Sequence, residues 1–170
     1  MNEGLVYNNI RFEFSDIDQA SAFATLFTGS NPCFSGIAGD KTFDFEKEKE
    51  VSILNDPEYL GNYTKENYSP KNLFSSTIGD ELKIASQGRS DVYSIAPDAE
   101  SAILSAGHAA NGAFWMDNTN GKWATTTYYK GIPWYVDRYN NGPESLASRL
   151  ETMVWTPTLP MEKYNAFLTY

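Results

Sequence analysis

The amino-acid sequence predicts an α/β fold, with helices flanking a mostly parallel β-sheet and an antiparallel hairpin added to it. Three observations predict this class. A strand, a sharp turn and a helix follow one another near the start of the chain, a helix, a strand and a helix follow in the middle, and two β-prone runs then surround a turn. Helices that alternate with strands are typical of a parallel sheet covered by helices.

The first strand and helix are expected in residues 6–29. Apolar residues alternate with polar ones near the end of residues 6–14, which predicts a strand with one apolar face (Ile10, Phe12 and Phe14). Residues 15–29 begin with Ser and Asp, continue with an Ala-rich stretch and end at Gly29. These are the start and stop signals of a helix.

The next part of the chain divides into an irregular and a helical segment. Residues 30–67 are rich in Gly, Pro, Asn and charged side chains, so we expect an irregular excursion with at most one short strand. Ser69 followed by Pro70 is a helix start signal, and it predicts a helix from there to about residue 86. Its buried stripe would consist of Leu73, Ile78, Leu82 and Ala85.

The second half of the chain predicts a strand, a helix and a hairpin in turn. Residues 91–95 predict a strand, and residues 97–106 predict a helix stopped by Gly107. Two β-prone runs, 113–116 and 123–129, flank a turn and predict a hairpin. Residues 133–138 and 143–150 predict helices, and residues 152–156 a last strand.

Composition excludes several classes of protein. The chain has 170 residues and a formal charge of −9, from 22 acidic and 13 basic residues, which argues against a nucleic-acid binder. No apolar run is long enough to span a membrane. A single Cys and a single His exclude an internal disulfide, a thiolate zinc cluster and a multi-histidine metal site within these residues.

The turn between Phe14 and Gln19 is the most suggestive candidate site. A helix that begins directly after a strand directs free backbone N–H groups outward, and these attract an anion. However, Asp16 and Asp18 would repel a phosphate there, which favours the alternative interpretation, simple helix capping. His108, in a small-residue loop, is interpreted as a structural residue or as a base. The aromatic residues around Trp115 and Trp123 would form core or a sugar-stacking surface.

Two stretches resemble a known family. Residues 25–40 (TLFTGSNPCFSGIAGD) are similar to the motif T-(I/L)-x-T-G-x-x-P-x-x-H-G-I-x-x-N of type I phosphodiesterases/nucleotide pyrophosphatases and single-chain alkaline phosphatases, which belong to the alkaline phosphatase superfamily. Residues 69–83 (SPKNLFSSTIGDELK), followed by residues 102–108 (AILSAGH), resemble exported bacterial alkaline phosphatases in the same order. The resemblance implies that residues 1–170 form one domain, the central part of a larger phosphatase-like protein.

The family resemblance implies two zinc ions and a Thr or Ser nucleophile at a helix N-terminus. By alignment, Gln19 stands at the nucleophile position, and Asp40 stands where the family has an Asn that contacts a phosphoryl oxygen. Ser21 is the nearest hydroxyl that could replace the nucleophile. The zinc ligands of the family lie outside this chain, so we expect no cofactor held by this chain. The monoesterases also have a Lys and an Arg before the "I-L-x-A-G-H" run, whereas residues 94–102 contain no basic residue.

These departures predict that the chain derives from a phosphate ester hydrolase but is degenerate or inactive as a catalyst. The alternative is a non-catalytic module that binds a glycan or a protein through the aromatic hairpin. The resemblance also implies export to the periplasm, although no signal peptide is visible in this chain. The expected partner is the remainder of the parent chain, with a phosphate ester as substrate only if the full-length protein is active. Nucleic acid and membrane are not expected partners.

Overall fold

The structure is a computed structural model that describes residues 4–9, 11–12, 14–15 and 17–164. Six α-helices and six strands follow one another in these residues. In chain order they are α1 (Gln19–Thr28), α2 (Pro32–Ser35), β1 (Lys41–Asp44), β2 (Lys49–Ser52), β3 (Gly61–Asn62), α3 (Ile78–Ala85), β4 (Tyr93–Ala96), α4 (Ala99–Ala106), β5 (Gly112–Asp117), β6 (Lys122–Thr126), α5 (Trp134–Asn140) and α6 (Leu146–Thr152). Short 3₁₀ turns span Thr127–Tyr129 and Met161–Lys163.

The central sheet has four strands in the order β3-β6-β5-β4. Strands β4 and β5 are parallel, with Tyr93 opposite Gly112, and α4 forms the crossover between them. Strands β5 and β6 form the expected antiparallel hairpin, and β3 pairs antiparallel with β6. The α/β class is confirmed, but the sheet in the described residues is mixed rather than mostly parallel.

The core lies between this sheet and the helices α1 and α4. Small side chains dominate the helix contact, because Ala20, Ala24, Ala102 and Ala106 are all fully buried. Alanine lets two helix backbones approach closely, and larger side chains fill the space towards the sheet. The larger buried apolar side chains are Ile37, Ile53, Leu54, Leu73, Ile103, Leu104, Trp115 and Tyr129.

Helices α1 and α4 confirm the two strongest helix predictions. Helix α1 begins later than expected, after Asp18 as N-cap, and it ends as predicted at Gly29, which adopts the left-handed conformation with φ 68°. Helix α4 is capped by Asp98 and ends at Gly107. The fold therefore forms both ends of these helices from the signals in the sequence.

The predicted first strand, residues 6–14, is wrong as far as the structure describes it. Its described residues lie outside any helix or strand, and Val6 and Tyr7 are exposed, while Ile10 and Glu13 lie outside the described residues. No described strand runs beside this segment to accept its backbone hydrogen bonds. A strand needs such a neighbour, so alternating side chains alone do not form one.

The excursion and the helix after it also differ from the prediction. Residues 30–67 contain the short helix α2, the hairpin of β1 and β2, and strand β3. The predicted helix from Ser69 begins eight residues late, after Thr77 as N-cap, because the Ser69 hydroxyl donates to Asp56 instead of capping a helix. Of its predicted stripe Leu73 is buried, but Ile78, Leu82 and Ala85 are exposed.

The C-terminal part contains both predicted helices, α5 and α6, but not the predicted strand over residues 152–156. Helix α6 includes Thr152, and the residues after it form no strand and expose Val154 and Trp155. Within the described part of the chain, no helix has the length and apolar character needed to cross a membrane.

Candidate functional site

The N-terminal ends of α1 and α4 meet, and this meeting point is the candidate site. The two helices pack on each other along their length. Gln19, the first residue of α1, donates from Nε2 to Asp98 Oδ2 over 2.7 Å and to Ser101 Oγ over 2.8 Å. We call Asp18, Gln19, Asp40, Asp98, Glu100 and Ser101 the helix-end cluster.

Asp18 accepts one of the open backbone N–H groups at the start of α1, and it also binds the backbone just before β1. Its Oδ1 accepts the amide of Ser21 over 2.7 Å, and its Oδ2 accepts the amide of Asp40 over 2.6 Å. Burial acts to raise the pKa of Asp18, but the hydrogen bonds from Ser21 and Asp40 outweigh it, so the pKa lies below its ordinary value. The helix end therefore holds an ionised carboxylate of its own.

Asp98 caps the start of α4 in the same way. Its Oδ1 accepts the amide of Ser101 over 2.8 Å, and its Oδ2 accepts the Ser101 hydroxyl over 3.1 Å as well as the Gln19 amide. Beside it, burial raises the pKa of the half-buried Glu100, and the charges of Asp98 and Asp40 raise it further. Three carboxylates thus influence one another at this end of the helix pair.

The other residues that the resemblance places at the phosphate site have the following surroundings. Asp40 is exposed, and its backbone rather than its side chain contacts Asp18. Ser21 is fully buried, and its hydroxyl donates to the Asp18 carbonyl and accepts the Asp18 amide over 3.1 Å. This geometry favours a capping role for Ser21. Asp16 lies outside the described residues.

The carboxylates of the helix-end cluster do not fit a metal ion. Within the described residues, no three His, Cys, Asp or Glu side chains come together as a group that could hold one. A zinc site needs three or four such ligands around one point.

His108 lies away from the helix-end cluster. Its Nε2 is 2.8 Å from the Leu73 carbonyl oxygen and its Nδ1 is 3.3 Å from the Tyr128 hydroxyl, while its backbone amide donates to Asp80. Both ring nitrogens have partners in the protein. These contacts favour the structural interpretation of the histidine.

The two tryptophans of the hairpin have different surroundings. Trp115 is only 4% exposed and belongs to the core, so it offers no stacking surface for a sugar. Trp123 is half-buried and lines an apolar cavity of about 460 Å³ together with Phe114 and Tyr93. Helix α5 closes the other side of this cavity. A nearly apolar lining suits protein side chains better than a glycan, which needs polar partners.

Sequence reasoning missed the contribution of α4 to the site. It noted that residues 94–102 lack a basic residue, but it did not place Asp98, Glu100 and Ser101 beside Gln19. The signal that was available is the pair of acidic residues at the start of α4, with Asp98 as its N-cap and Glu100 in its first turn. Only the packing of α1 on α4 shows that they share one site with Gln19.

Comparison with known proteins gives a consistent set of relatives. No family model matches the chain. It is 35% identical over 170 residues to alkaline phosphatase PafA of Elizabethkingia meningoseptica, an alignment that covers 97% of this chain and 31% of PafA. It is 32% identical to alkaline phosphatase PhoV of Synechococcus elongatus (97% and 30% covered) and 34% identical to a calcium-transporting ATPase of Myroides odoratus (96% and 30%). The chain thus spans under a third of the length of these relatives.

Solved structures agree with the sequence comparison. The crystal structure of wild-type PafA matches with a TM-score of 0.73 and 36% identity, over 86% of this chain and 29% of that chain. A variant of PafA with Thr-to-Ser, Asn-to-Ala, Lys-to-Ala and Arg-to-Ala substitutions matches equally well. Its substituted Thr and Asn are as far apart in sequence as Gln19 and Asp40, and its Lys and Arg are separated by one residue, as Asp98 and Glu100 are.

Proposed function

The chain belongs to the alkaline phosphatase superfamily, and from this premise we propose that it is a phosphatase-like segment that does not hydrolyse phosphate esters. The family performs that hydrolysis through an activated hydroxyl at a helix N-terminus. In this proposal the chain keeps the two helices whose N-terminal ends form the family's phosphate-binding site. It lacks the nucleophilic hydroxyl and the basic side chains of that site. The geometry of Gln19 is the observation that carries it.

Gln19 cannot replace a nucleophilic hydroxyl. A carboxamide nitrogen has its lone pair delocalised into the carbonyl group, so it does not attack phosphorus as an alkoxide does. In addition, its Nε2 donates hydrogen bonds to Asp98 and Ser101, and these bonds hold the side chain against α4. A substrate would have to displace two hydrogen bonds and would still meet no nucleophile at this position.

The charges around Gln19 also oppose a phosphate monoester. Asp18 and Asp98 already accept the amides of Ser21 and Ser101, which a phosphoryl oxygen would otherwise accept. The carboxylates of Asp40 and Glu100 add negative charge nearby. Because like charges repel strongly in a partly desolvated site, a dianion is excluded rather than bound.

The proposal extends to the whole protein to which this segment belongs. We place it nearest the exported type I phosphodiesterase/nucleotide pyrophosphatase and single-chain alkaline phosphatase branches, on the motifs in residues 25–40 and 69–83. Active members of these branches hold two zinc ions, whose chemistry is to activate the nucleophile and stabilise phosphoryl oxygens. For the present segment, the proposed partner is the remainder of such a polypeptide. The proposed compartment of the whole protein is the periplasm.

Turnover assays test the proposal directly. We expect the chain, incubated with excess zinc, to leave p-nitrophenyl phosphate and bis-p-nitrophenyl phosphate unhydrolysed, while PafA assayed in parallel releases p-nitrophenol. Gln19→Thr restores the hydroxyl but not the metal ligands, so it is expected to stay inactive. Turnover by the unmodified chain, together with zinc bound near two equivalents per chain, would overturn the proposal.

A further inference from the structure

An open groove of about 600 Å³ lies between strand β3 and the start of α5. Its lining residues are Gly61, Asn62, Tyr63, Ile132, Trp134 and Asp137. None of these residues belongs to the helix-end cluster. Unlike the apolar cavity beside Trp123, this groove combines an exposed aromatic ring with a carboxylate and an amide. Sites for small polar ligands have this combination, in which apolar surface gives contact area and a few polar groups fix the orientation.

Trp134 presents its indole ring to solvent in this groove. The side chain is 74% exposed, and the ring of Tyr135 packs against it at 84°, with the two centroids 5.9 Å apart. A single exposed apolar side chain is common on protein surfaces and needs no ligand. Here the ring shares a groove with polar groups whose positions are fixed, and this combination points to a ligand.

A hydrogen-bond network fixes the polar side chains of the groove. Tyr63 Oη donates to Asp137 Oδ1 and accepts from Asn141 Nδ2 over 2.7 Å. Lys122 Nζ donates to Asn141 Oδ1 over 3.0 Å and lies 5.0 Å from the centre of the Tyr63 ring. The Asn120 side chain donates to the Tyr63 carbonyl over 2.7 Å. Tyr63 has φ 61°, a conformation that costs free energy outside glycine and that surrounding contacts must hold.

The chemistry of these polar groups selects a neutral ligand that carries hydroxyl groups. Both side-chain hydrogen bonds that Asp137 accepts within the described residues reach Oδ1, so Oδ2 can accept from a ligand. The Asn62 amide offers a donor and an acceptor, which match the two roles of a hydroxyl. The Asp137 carboxylate opposes an anion, and the Lys122 ammonium group beside Tyr63 opposes a cation.

We propose that this groove binds a neutral pyranose ring of a glycan, with the C–H face of the sugar stacked on Trp134 and its hydroxyls bonded to Asp137 and Asn62. A pyranose ring has both a flat apolar face and hydroxyls around its edge, as the groove requires. The inference goes beyond the proposed function, because the site lies apart from Gln19 and needs no reaction. It also places the glycan at the start of α5 rather than at the hairpin, whose Trp115 is buried.

Titration of the chain with cellohexaose and with chitohexaose tests the site. Both oligosaccharides consist of neutral pyranose rings with flat C–H faces, and isothermal titration calorimetry measures their binding directly. We expect saturable binding of at least one of them, accompanied by a change in tryptophan fluorescence. If neither oligosaccharide saturates the chain at several millimolar, the proposal is wrong. None of these readouts depends on hydrolysis, so the turnover assay tests the proposed function separately.

Matched substitutions make the test specific to the groove. Trp134→Ala should weaken binding by about tenfold or more without lowering the Tm, because the exposed ring contributes contact area to the ligand and little to the fold. Trp134→Phe keeps an aromatic face and should recover most of the affinity. The control Trp155→Ala removes a ring that is 76% exposed and does not line the groove, so it should leave binding unchanged.

Asp137→Asn tests the hydrogen-bonding side of the groove. It replaces a charged acceptor by a neutral one and should weaken sugar binding several-fold. Sugar binding that survives Trp134→Ala, or that Trp155→Ala weakens equally, would refute stacking on Trp134. Binding of tetramethylammonium in place of the sugars, lost in Asp137→Asn, would assign the groove to a cation and overturn the proposal.

Discussion

Asp80 is expected to be the side chain whose loss most destabilises the loop that carries His108. Asp80 lies at the start of α3, and it is only 4% exposed. Its Oδ1 accepts the amides of His108 and Ala109 over 2.9 and 2.6 Å, and its Oδ2 accepts the amide and hydroxyl of Thr77 over 2.9 and 3.0 Å. One carboxylate thus joins the start of α3 to the end of α4.

The substitution Asp80→Asn keeps the shape of the side chain and changes what it can accept. The new NH₂ group replaces one oxygen and faces two donors, so two hydrogen bonds to a charged acceptor are lost. Each such bond contributes about 1.5–3 kcal/mol. The Thr77 hydroxyl can recover part of this by donating to the Ala106 carbonyl, which is 3.4 Å away. We therefore expect the free energy of unfolding to fall by about 3–5 kcal/mol, a large part of the 5–15 kcal/mol typical of a domain.

Urea denaturation followed by circular dichroism measures this change. Asp91→Asn is the matched control, because Asp91 is exposed and accepts a single side-chain hydrogen bond, from Asn111. The control should cost less than about 1 kcal/mol. If Asp80→Asn costs no more than Asp91→Asn, then Asp80 does not hold the loop through buried hydrogen bonds, and the reasoning is refuted.

Two further substitutions test neighbouring features. Gly107→Ala should destabilise the chain by more than about 2 kcal/mol in the same assay, because Gly107 has φ 73° and a Cβ there would collide with Thr77 and Asp80. The control is Gly88→Ala, which has φ 78° and open space around it and should cost about 1 kcal/mol. Equal losses in the two variants would contradict the collision. Burial raises the pKa of Glu100 above the ordinary value of 4.5, so its ionisation costs stability as the pH rises through the raised value. Glu100→Gln should therefore increase the free energy of unfolding at pH 7 by less than about 1 kcal/mol and not at pH 4, and a loss at pH 7 would contradict this.

The elements that the sequence predicts well are those whose signals are local. Helix α4 is flanked directly by its Asp98 cap and its Gly107 stop. The hairpin of β5 and β6 has its turn between two β-prone runs. Helix α1 likewise ends at Gly29 as predicted. Capping and turn formation depend on residues a few positions apart, so a single sequence contains the information.

The elements that the sequence predicts wrongly depend on distant partners. Ser69 has the chemistry of an N-cap, but its hydroxyl donates to Asp56, and Thr77 caps α3 instead. The segment 6–14 alternates like a strand and finds no described strand beside it. In the first case a tertiary contact replaces the predicted local one, and in the second the strand neighbour that the pattern needs is not found. Local sequence patterns contain no information about such distant contacts.

The candidate site was predicted for one half only. The family resemblance of residues 25–40 implied Gln19 and Asp40 as site positions, and these assignments stay predictions. Asp98, Glu100 and Ser101 could not be added, because they are about 80 positions away from Gln19 and reach it only through the packing of α1 on α4. Sites assembled from two helix ends are set by packing, which sequence spacing does not encode.

The helix-end cluster stabilises both helix ends without a bound phosphate, which agrees with the proposed loss of phosphate chemistry. A helix N-terminus needs a negative partner for its open N–H groups, and in an active phosphatase a bound phosphate supplies part of that charge. Here the side chains of Asp18 and Asp98 accept the amides of Ser21 and Ser101 at these helix ends. Gln19 then joins the two helix ends by donating to Asp98. Because Asp18 and Asp98 already accept these two amides, a phosphate could bind the amides only after substitutions that uncap both helices.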